Sequence, residues 1–238
     1  MAGVFQFKQF SVDQSGCAMK INTDGVLLGA LAEHPQPKTV LDIGTGTGVI
    51  ALMLAQRFTE TEIDAVEIDE AAAKTAKANF ESSVFADRLS LYANSFEHFF
   101  EVNSDNKFDL IVSNPPFYIN SLQSPGAGKK LAKHADAGFF ETLVTNVAKH
   151  LTDVGLFLLI LPIDTAELVT QLASDNGLFL QEITAIKSYP ESEPHRQVIT
   201  LGLHQTKMAE REFVIYNAPK EYSGQYQLAL QDFFTIFP

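Results

Sequence analysis

Asn114-Pro115-Pro116-Phe117 brings together one carboxamide, two rigid prolines and an aromatic ring. The Asn114 amide oxygen and a neighbouring backbone carbonyl can accept both hydrogens of a planar amino group. A ring beside them can stack on the π-system that carries that group. Such a set suits chemistry on an exocyclic or amide nitrogen. Both prolines fix φ, and Pro115 restricts Asn114 to extended backbone, so the turn is stiff. A second set stands upstream. Gly44-Thr45-Gly46-Thr47-Gly48 alternates glycines in a way that allows a tight turn and close backbone approach to a ligand. Glu67 follows at about the twenty-residue spacing at which a carboxylate can take ribose hydroxyls. The dinucleotide fingerprint wants a glycine at position 49, where Val49 stands.

These residues need elements to hold them. Phe108–Ser113 is an apolar run bounded by proline, which predicts a buried strand ending in the Asn-Pro turn. Thr39–Ile43 predicts a strand before the glycine turn, and Val49 to about Phe58 a helix after it. Glu62–Val66 predicts the strand that ends at Glu67. Ligands of open α/β sheets bind at the carboxyl ends of strands, where all three features fall. Further along, Asp69 is an N-cap candidate for a helix running through Ala78. Leu89–Tyr92, Gly155–Leu161, Phe179–Lys187 and Gln197–His204 read as strands. Gly138–His150, Thr165–Asn176 and Gln225–Phe233 read as helices. Alternation of this kind is the signature of a parallel sheet with helices on both faces. Between Tyr118 and Ala135 the chain reads as a loop too long to be an idle connection.

Taken together, Leu41-Asp42-Ile43-Gly44-Thr45-Gly46-Thr47-Gly48, Val66-Glu67-Ile68-Asp69 and Asn114-Pro115-Pro116-Phe117 resemble the class I S-adenosylmethionine-dependent amino-methyltransferases. The ends narrow the resemblance. Phe5-Gln6-Phe7-Lys8-Gln9-Phe10, Met19 to Ala30, Phe213-Val214-Ile215-Tyr216 and Glu221-Tyr222-Ser223 look like the bacterial tRNA1(Val) adenine-N6 methyltransferases. The resemblance covers nearly the whole chain. It implies a Rossmann-like α/β fold, with a mostly parallel seven-stranded sheet and an antiparallel last strand. It also implies a single methyltransferase domain over 1–238, with an N-terminal cover (1–37), a core (38–205) and a C-terminal extension (206–238). The implied cofactor is S-adenosyl-L-methionine, held by Gly44, Gly46 and Gly48, with Asp42 near its amino group and Glu67 on its ribose. Asn94 or Ser95 would meet its adenine, although many family members carry aspartate about where Ser95 stands. Asn114, Pro115 and Phe117 would be catalytic, with Asn114 also beside the cofactor. Pro116, Tyr118, Lys129, Lys130 and Lys133 would meet the substrate, an adenine in tRNA just 3′ of the valine anticodon. Thr23-Asp24-Gly25 reads as a helix start and, by resemblance, as part of a lid.

Composition sets limits. The chain of 238 residues is long enough for a full core, and no run approaches a membrane span. No leader is visible at the first residues. A single cysteine, Cys17, fits a reducing cytoplasm and excludes cysteine-based zinc sites, so no metal is expected. A monomer with no obligate protein partner is the expected state. The formal net charge of −12 is unusual for a nucleic-acid binder, so any basic footprint must be local. Lys129, Lys130 and Lys133 are one candidate, and Lys8 and Lys20 another. His195-Arg196 can face RNA phosphate or solvent. Two rival readings stand beside tRNA methylation. One is glutamine-N5 methylation of release factors, which uses a similar turn usually followed by tyrosine. The other is a non-catalytic nucleotide-binding module, which would have no need for Asn114. DNA adenine methyltransferases share the turn too, but usually carry a target-recognition domain for which this chain has no room.

Overall fold

The computed structural model describes residues 3–115 and 129–238, with side-chain packing for all of these except 129–136. A hairpin of β1 (Val4–Gln6) and β2 (Ser11–Asp13) and a helix α1 (Thr23–Leu31) come first. Then follow β3 (Thr39–Ile43), α2 (Val49–Arg57), β4 (Glu62–Val66), α3 (Glu70–Ser82), β5 (Leu89–Tyr92), α4 (Phe96–Val102) and β6 (Phe108–Ser113). Next are α5 (Lys129–His150), β7 (Leu151–Leu161), α6 (Ile163–Asp175), β8 (Phe179–Lys187), β9 (Arg196–Gly202) and β10 (Ala209–Val214). A second hairpin, β11 (Tyr216–Ala218) and β12 (Glu221–Tyr222), leads into α7 (Gly224–Leu230).

Eight strands form one sheet in the order β10-β8-β9-β7-β6-β3-β4-β5. Seven of them are the expected ones, and β9 runs antiparallel to both β7 and β8 as expected. The eighth, β10, extends the sheet at its edge, parallel to β8. Its sequence, Ala-Glu-Arg-Glu-Phe-Val, is too polar to read as a buried strand. An edge position explains that, because charges there keep the free edge soluble. Arg211 on β10 pairs with Glu33 and Glu182.

Alternate residues of the central strands feed two separate cores, as a pleat with helices on both faces requires. Val40, Leu110, Val112, Leu158 and Ile160 pack against α1, α2 and the terminal segments. Leu41, Ile43, Ile111, Phe157 and Leu159 pack against α4, α5 and α6, where Phe99, Phe100 and Phe140 are buried. Several boundaries differ from the sequence reading, two of them on either side of the second half of α5. The stretch read as loop up to Ala135 is helical from Lys129 onward. Strand β7 begins at Leu151 rather than Gly155, and its register against β6 shifts between Phe108 and Leu110. Among the described residues no helix is long and apolar enough to cross a membrane.

The strand order reverses at β3: β4 and β5 lie on one side, β6 and β7 on the other. Such a switch point opens a crevice beyond the carboxyl ends of the two diverging strands. Ile43, the last residue of β3, is opposite Ser113, the last of β6. The Ser113 hydroxyl donates to the Ile43 carbonyl at 2.8 Å. The glycine turn and Asn114 therefore leave the sheet side by side.

Asn79 of α3 ties the amino-terminal hairpin to that turn. Its Nδ2 donates to the Thr47 carbonyl at 2.8 Å and to the Asp13 carbonyl at 2.9 Å, and its Oδ1 accepts from the Asp13 N–H at 2.9 Å. Asn79 is buried, so truncation strands three backbone groups without water. Asn79→Ala should lower unfolding free energy by about 2–3 kcal/mol, the cost of leaving buried partners unpaired. Urea denaturation checks this; a loss under about 0.5 kcal/mol would contradict the role.

Candidate active site

The turn after β3 is built on glycines that do different jobs. Gly44, Gly46 and Gly48 all have positive φ, at 74°, 58° and 83°. A Cβ on Gly48 would stand 2.5 Å from Phe80 Cε1, so this glycine lets α3 pack against the turn. A Cβ on Gly44 or Gly46 would meet nothing within 4 Å. Those two therefore keep the turn bare on its open side, where a ligand can approach backbone.

Two acids hold the turn from below. Glu67, at the end of β4, accepts the Gly46 N–H at 2.8 Å through Oε2 and the Asp69 N–H at 2.9 Å through Oε1. A carboxylate has about four lone-pair sites, so each oxygen can still take a hydroxyl. Asp42, fully buried on β3, accepts the Thr45 hydroxyl at 2.6 Å through Oδ2. Its Oδ1 is buried with no hydrogen-bond partner. Burial raises the Asp42 carboxyl to about 7, only partly offset by the Thr45 hydroxyl and the Ala51 N–H. An unpaired carboxylate oxygen beneath an open glycine turn fits a ligand that brings a positive or hydrogen-bond-donating group. Beyond β5, Asn94 Oδ1 is likewise buried and unpaired. Ser95 is occupied differently: it caps α4 by accepting the His98 N–H at 3.2 Å.

Asn114 is half-buried and Pro115 buried at the end of β6. Opposite Asn114 lies the first turn of α1. A Cβ on Gly25 would be 3.7 Å from Asn114 Nδ2 and 3.8 Å from Val49 Cγ1, so Gly25 leaves room beside the carboxamide. The helix cap is Asn22, whose Oδ1 accepts the Gly25 N–H at 2.9 Å, and the helix starts at Thr23. Asp24 in the same turn accepts from Arg196 Nε at 2.9 Å. Arg196 thus fastens α1 across 172 residues of sequence, instead of facing only solvent. Sequence alone pairs neither Asn22 with Gly25 nor Asp24 with Arg196; the only local signal is an Asn before an apolar helical run. Pro116, Phe117 and Tyr118 lie outside the described residues, and Lys129, Lys130 and Lys133 open α5.

The family model for the Methyltransferase small domain matches residues 18–159, which span this whole site. The tRNA1(Val) (adenine(37)-N6)-methyltransferase of Pedobacter heparinus is 44% identical over 237 residues, 100% of each chain. The chain belongs to this family. A protein of the same name from Bacteroides thetaiotaomicron is 39% identical over 97% of this chain and 96% of its own. Among solved structures, a predicted O-methyltransferase from Agrobacterium tumefaciens superposes with a TM-score of 0.67 over 85% of this chain and 92% of that one. At 17% identity that likeness is one of fold, and it is the class I methyltransferase fold expected from the motifs.

Asp42 makes stability depend on pH in an uncommon direction. Its carboxyl titrates near the usual 3.8 when unfolded and near 7 when folded. The folded state holds the extra proton between those values, so stability falls as pH rises through about 4 to 7. The contribution is on the order of 4 kcal/mol at 1.36 kcal/mol per unit. Asp42→Asn should remove that part of the pH dependence. Urea melts at pH 5 and pH 8 test this; equal slopes with pH in both proteins would show that Asp42 is not the group.

Proposed function

We propose that this protein methylates N6 of an adenine in tRNA with S-adenosyl-L-methionine as donor, and that the adenine is the one 3′ of the tRNA1(Val) anticodon. The observation that carries the reading is Asn114-Pro115 beside an open glycine turn, with unpaired oxygens on Asp42 of β3 and on Asn94 just after β5. Full-length identity of 44% to a protein of that name supports it. The methyl donor supplies an electrophilic methyl group. The residues supply its berth: Gly44 and Gly46 backbone, Glu67 for ribose hydroxyls, Asp42 Oδ1 for the amino group. Asn94, with its free oxygen, suits the adenine amino group better than Ser95, which is spent as a cap.

An aromatic amine is a poor nucleophile because its lone pair is delocalised into the ring. Asn114 Oδ1 and the Pro115 carbonyl would accept its two hydrogens and turn the lone pair out of conjugation. They would also stabilise positive charge as it develops on nitrogen, the kind of preorganised electrostatics that lowers barriers most. No dedicated base is needed, since the methylated ammonium is strongly acidic. Phe117 and Tyr118 are proposed to stack on the base once it leaves its own stack. Gly25 on α1 presents no side chain beside Asn114.

The protein is proposed to act as a cytoplasmic monomer in which 1–37, 38–205 and 206–238 work as one unit. The Asn79 bonds and the bridge between Phe7 and Phe234 support that unity. Lys129, Lys130 and Lys133, with Lys8 and Lys20, are the proposed contacts to phosphate.

Asn114→Ala should cut turnover by about 10²-fold or more, as loss of a transition-state partner does, with donor affinity changed little. Transfer from labelled donor to tRNA, bulk DNA and release factor in parallel decides the acceptor. A product other than N6-methyladenosine, or transfer only to a protein glutamine, would refute the assignment. Replacing Lys129, Lys130 and Lys133 by Ala should weaken tRNA binding and flatten its salt dependence by about one unit of slope per lost phosphate contact. Titrations across salt measure it, and an unchanged slope would remove these lysines from the interface.

A further inference from the structure

A groove of about 340 Å³ runs between the two ends of the chain. Phe5 of β1, Tyr222 of β12, Tyr226 of α7 and Phe234 line it, and Asn22 and Thr23 form its lip. We propose that this groove is a second base site, holding an unpaired nucleobase of the RNA that flanks the target adenine. The proposal rests on the tRNA reading above and adds a contact to it.

Position comes first. Asn22 and Thr23 belong to the first turn of α1, and Gly25 in that same turn abuts Asn114. The first turn of α1 therefore borders both the groove and the Asn114 carboxamide. An RNA strand that delivers one base to Asn114 must pass this lip with the next. Continuity with the reaction site is what selects RNA as the occupant over an unrelated partner.

The lining offers two rings on a rigid floor. Tyr222 is sandwiched between Tyr226 at 4.7 Å and Tyr216 at 5.1 Å, and Tyr226 is buried, so this stack is the floor; Phe5 and half-buried Phe234 are the rings left open to a base. Phe5 tilts against Phe7 and Phe234, yet keeps 36% of its surface in water. Ile236 on the groove wall is 65% exposed. An apolar wall left open in this way costs hydrophobic free energy unless something covers it. Every base has a π-face, so rings like these accept bases with little regard to sequence. The Thr23 hydroxyl and the Asn22 amide hydrogens at the lip can meet base edges. Lys8, whose backbone N–H donates to the Phe233 carbonyl at 2.8 Å, stands beside the carboxyl-terminal wall. Lys20 is exposed just before Ile21, another lining residue, so a cation is available to the strand on each side.

The test compares wild type with Phe5→Ala, which removes a ring, and Thr235→Trp, which fills the groove from an exposed position. KM for tRNA is measured at saturating methyl donor, Kd for S-adenosylhomocysteine by calorimetry, and thermal midpoints as a fold control. Both variants should raise KM for tRNA about tenfold, within the range of one lost base stack, with Kd for S-adenosylhomocysteine unchanged. An anticodon stem-loop carrying an abasic residue next to the target adenine should bind wild type about tenfold more weakly, with no further loss in the variants. Unchanged KM for tRNA in Thr235→Trp, which tests the groove even where Phe5→Ala unfolds, would overturn the base site. So would variants that dissociate a dimer in sedimentation and leave KM alone, which would make the groove a self-contact. Wild-type protein that fails to methylate tRNA at all would overturn the functional reading, and the base site with it.

Discussion

The pairing of Ile43 with Ser113 is the constraint on which the rest depends. Two parallel strands that follow opposite crossovers cannot be joined without leaving a gap beyond their carboxyl ends. That gap is where the glycine turn and Asn114 emerge together. Moving either strand by one residue would turn its apolar set to the wrong core, because the side-chain period is 2. Val40 and Leu41, or Leu110 and Ile111, point into different cores and cannot trade places. Register is thus fixed by burial on both faces, and register fixes how the glycine turn stands to Asn114.

The site then carries a cost that the cores sustain. Asp42 is buried under the turn with one oxygen unpaired, and its carboxyl is pushed up to about 7 by desolvation. Gly44, Gly46 and Gly48 add the entropy cost of ordering glycine, which their positive φ requires. Glu67 offsets part of this by bonding Gly46 and Asp69, so the acid that suits a ribose also shapes the turn before any ligand arrives. Preorganisation of this kind spares ordering at the moment of binding.

Much of this was legible in sequence because it is local. Thr39–Ile43, Glu62–Val66, Leu89–Tyr92 and Phe108–Ser113 are short apolar strands between turn signals, and the observed bounds coincide with them. Asp42, Glu67 and Asn114 were readable because each ends or punctuates such a strand. What sequence did not show depends on distant partners. β10 is polar because it lies at an edge, and only its pairing with β8 makes it a strand. Residues 151–154 fall between the helix and the strand read from sequence, yet β7 starts at Leu151, which stands opposite Phe108 before the register shifts. Asn79 looks like one more polar residue of a helix until its bonds to Asp13 and Thr47 are seen. The approach of Gly25 to Asn114, like the Arg196–Asp24 pair in the same turn of α1, joins segments far apart in the chain.

Charge shapes how such a protein can hold RNA. The chain has only four arginines, and the fold employs every one. Arg57 Nη1 donates to the Gly29 and Ala32 carbonyls at the end of α1. Arg88 donates to the Ala55, Phe58 and Thr61 carbonyls at the end of α2. Arg196 binds Asp24, and Arg211 binds Glu33 and Glu182. Guanidinium forks that would fix phosphate geometry in two bonds are therefore committed to other tasks, and phosphate falls to lysine. A lysine attracts phosphate as a point charge and says little about register. With a net charge of −12 the long-range field also opposes the strand. Register must then come from groups that act only at contact, which are rings that stack and amides that bond base edges. In this fold the groups proposed for that task are the Asn-Pro turn after β6 and the aromatic groove between the chain ends, and the first turn of α1 borders both.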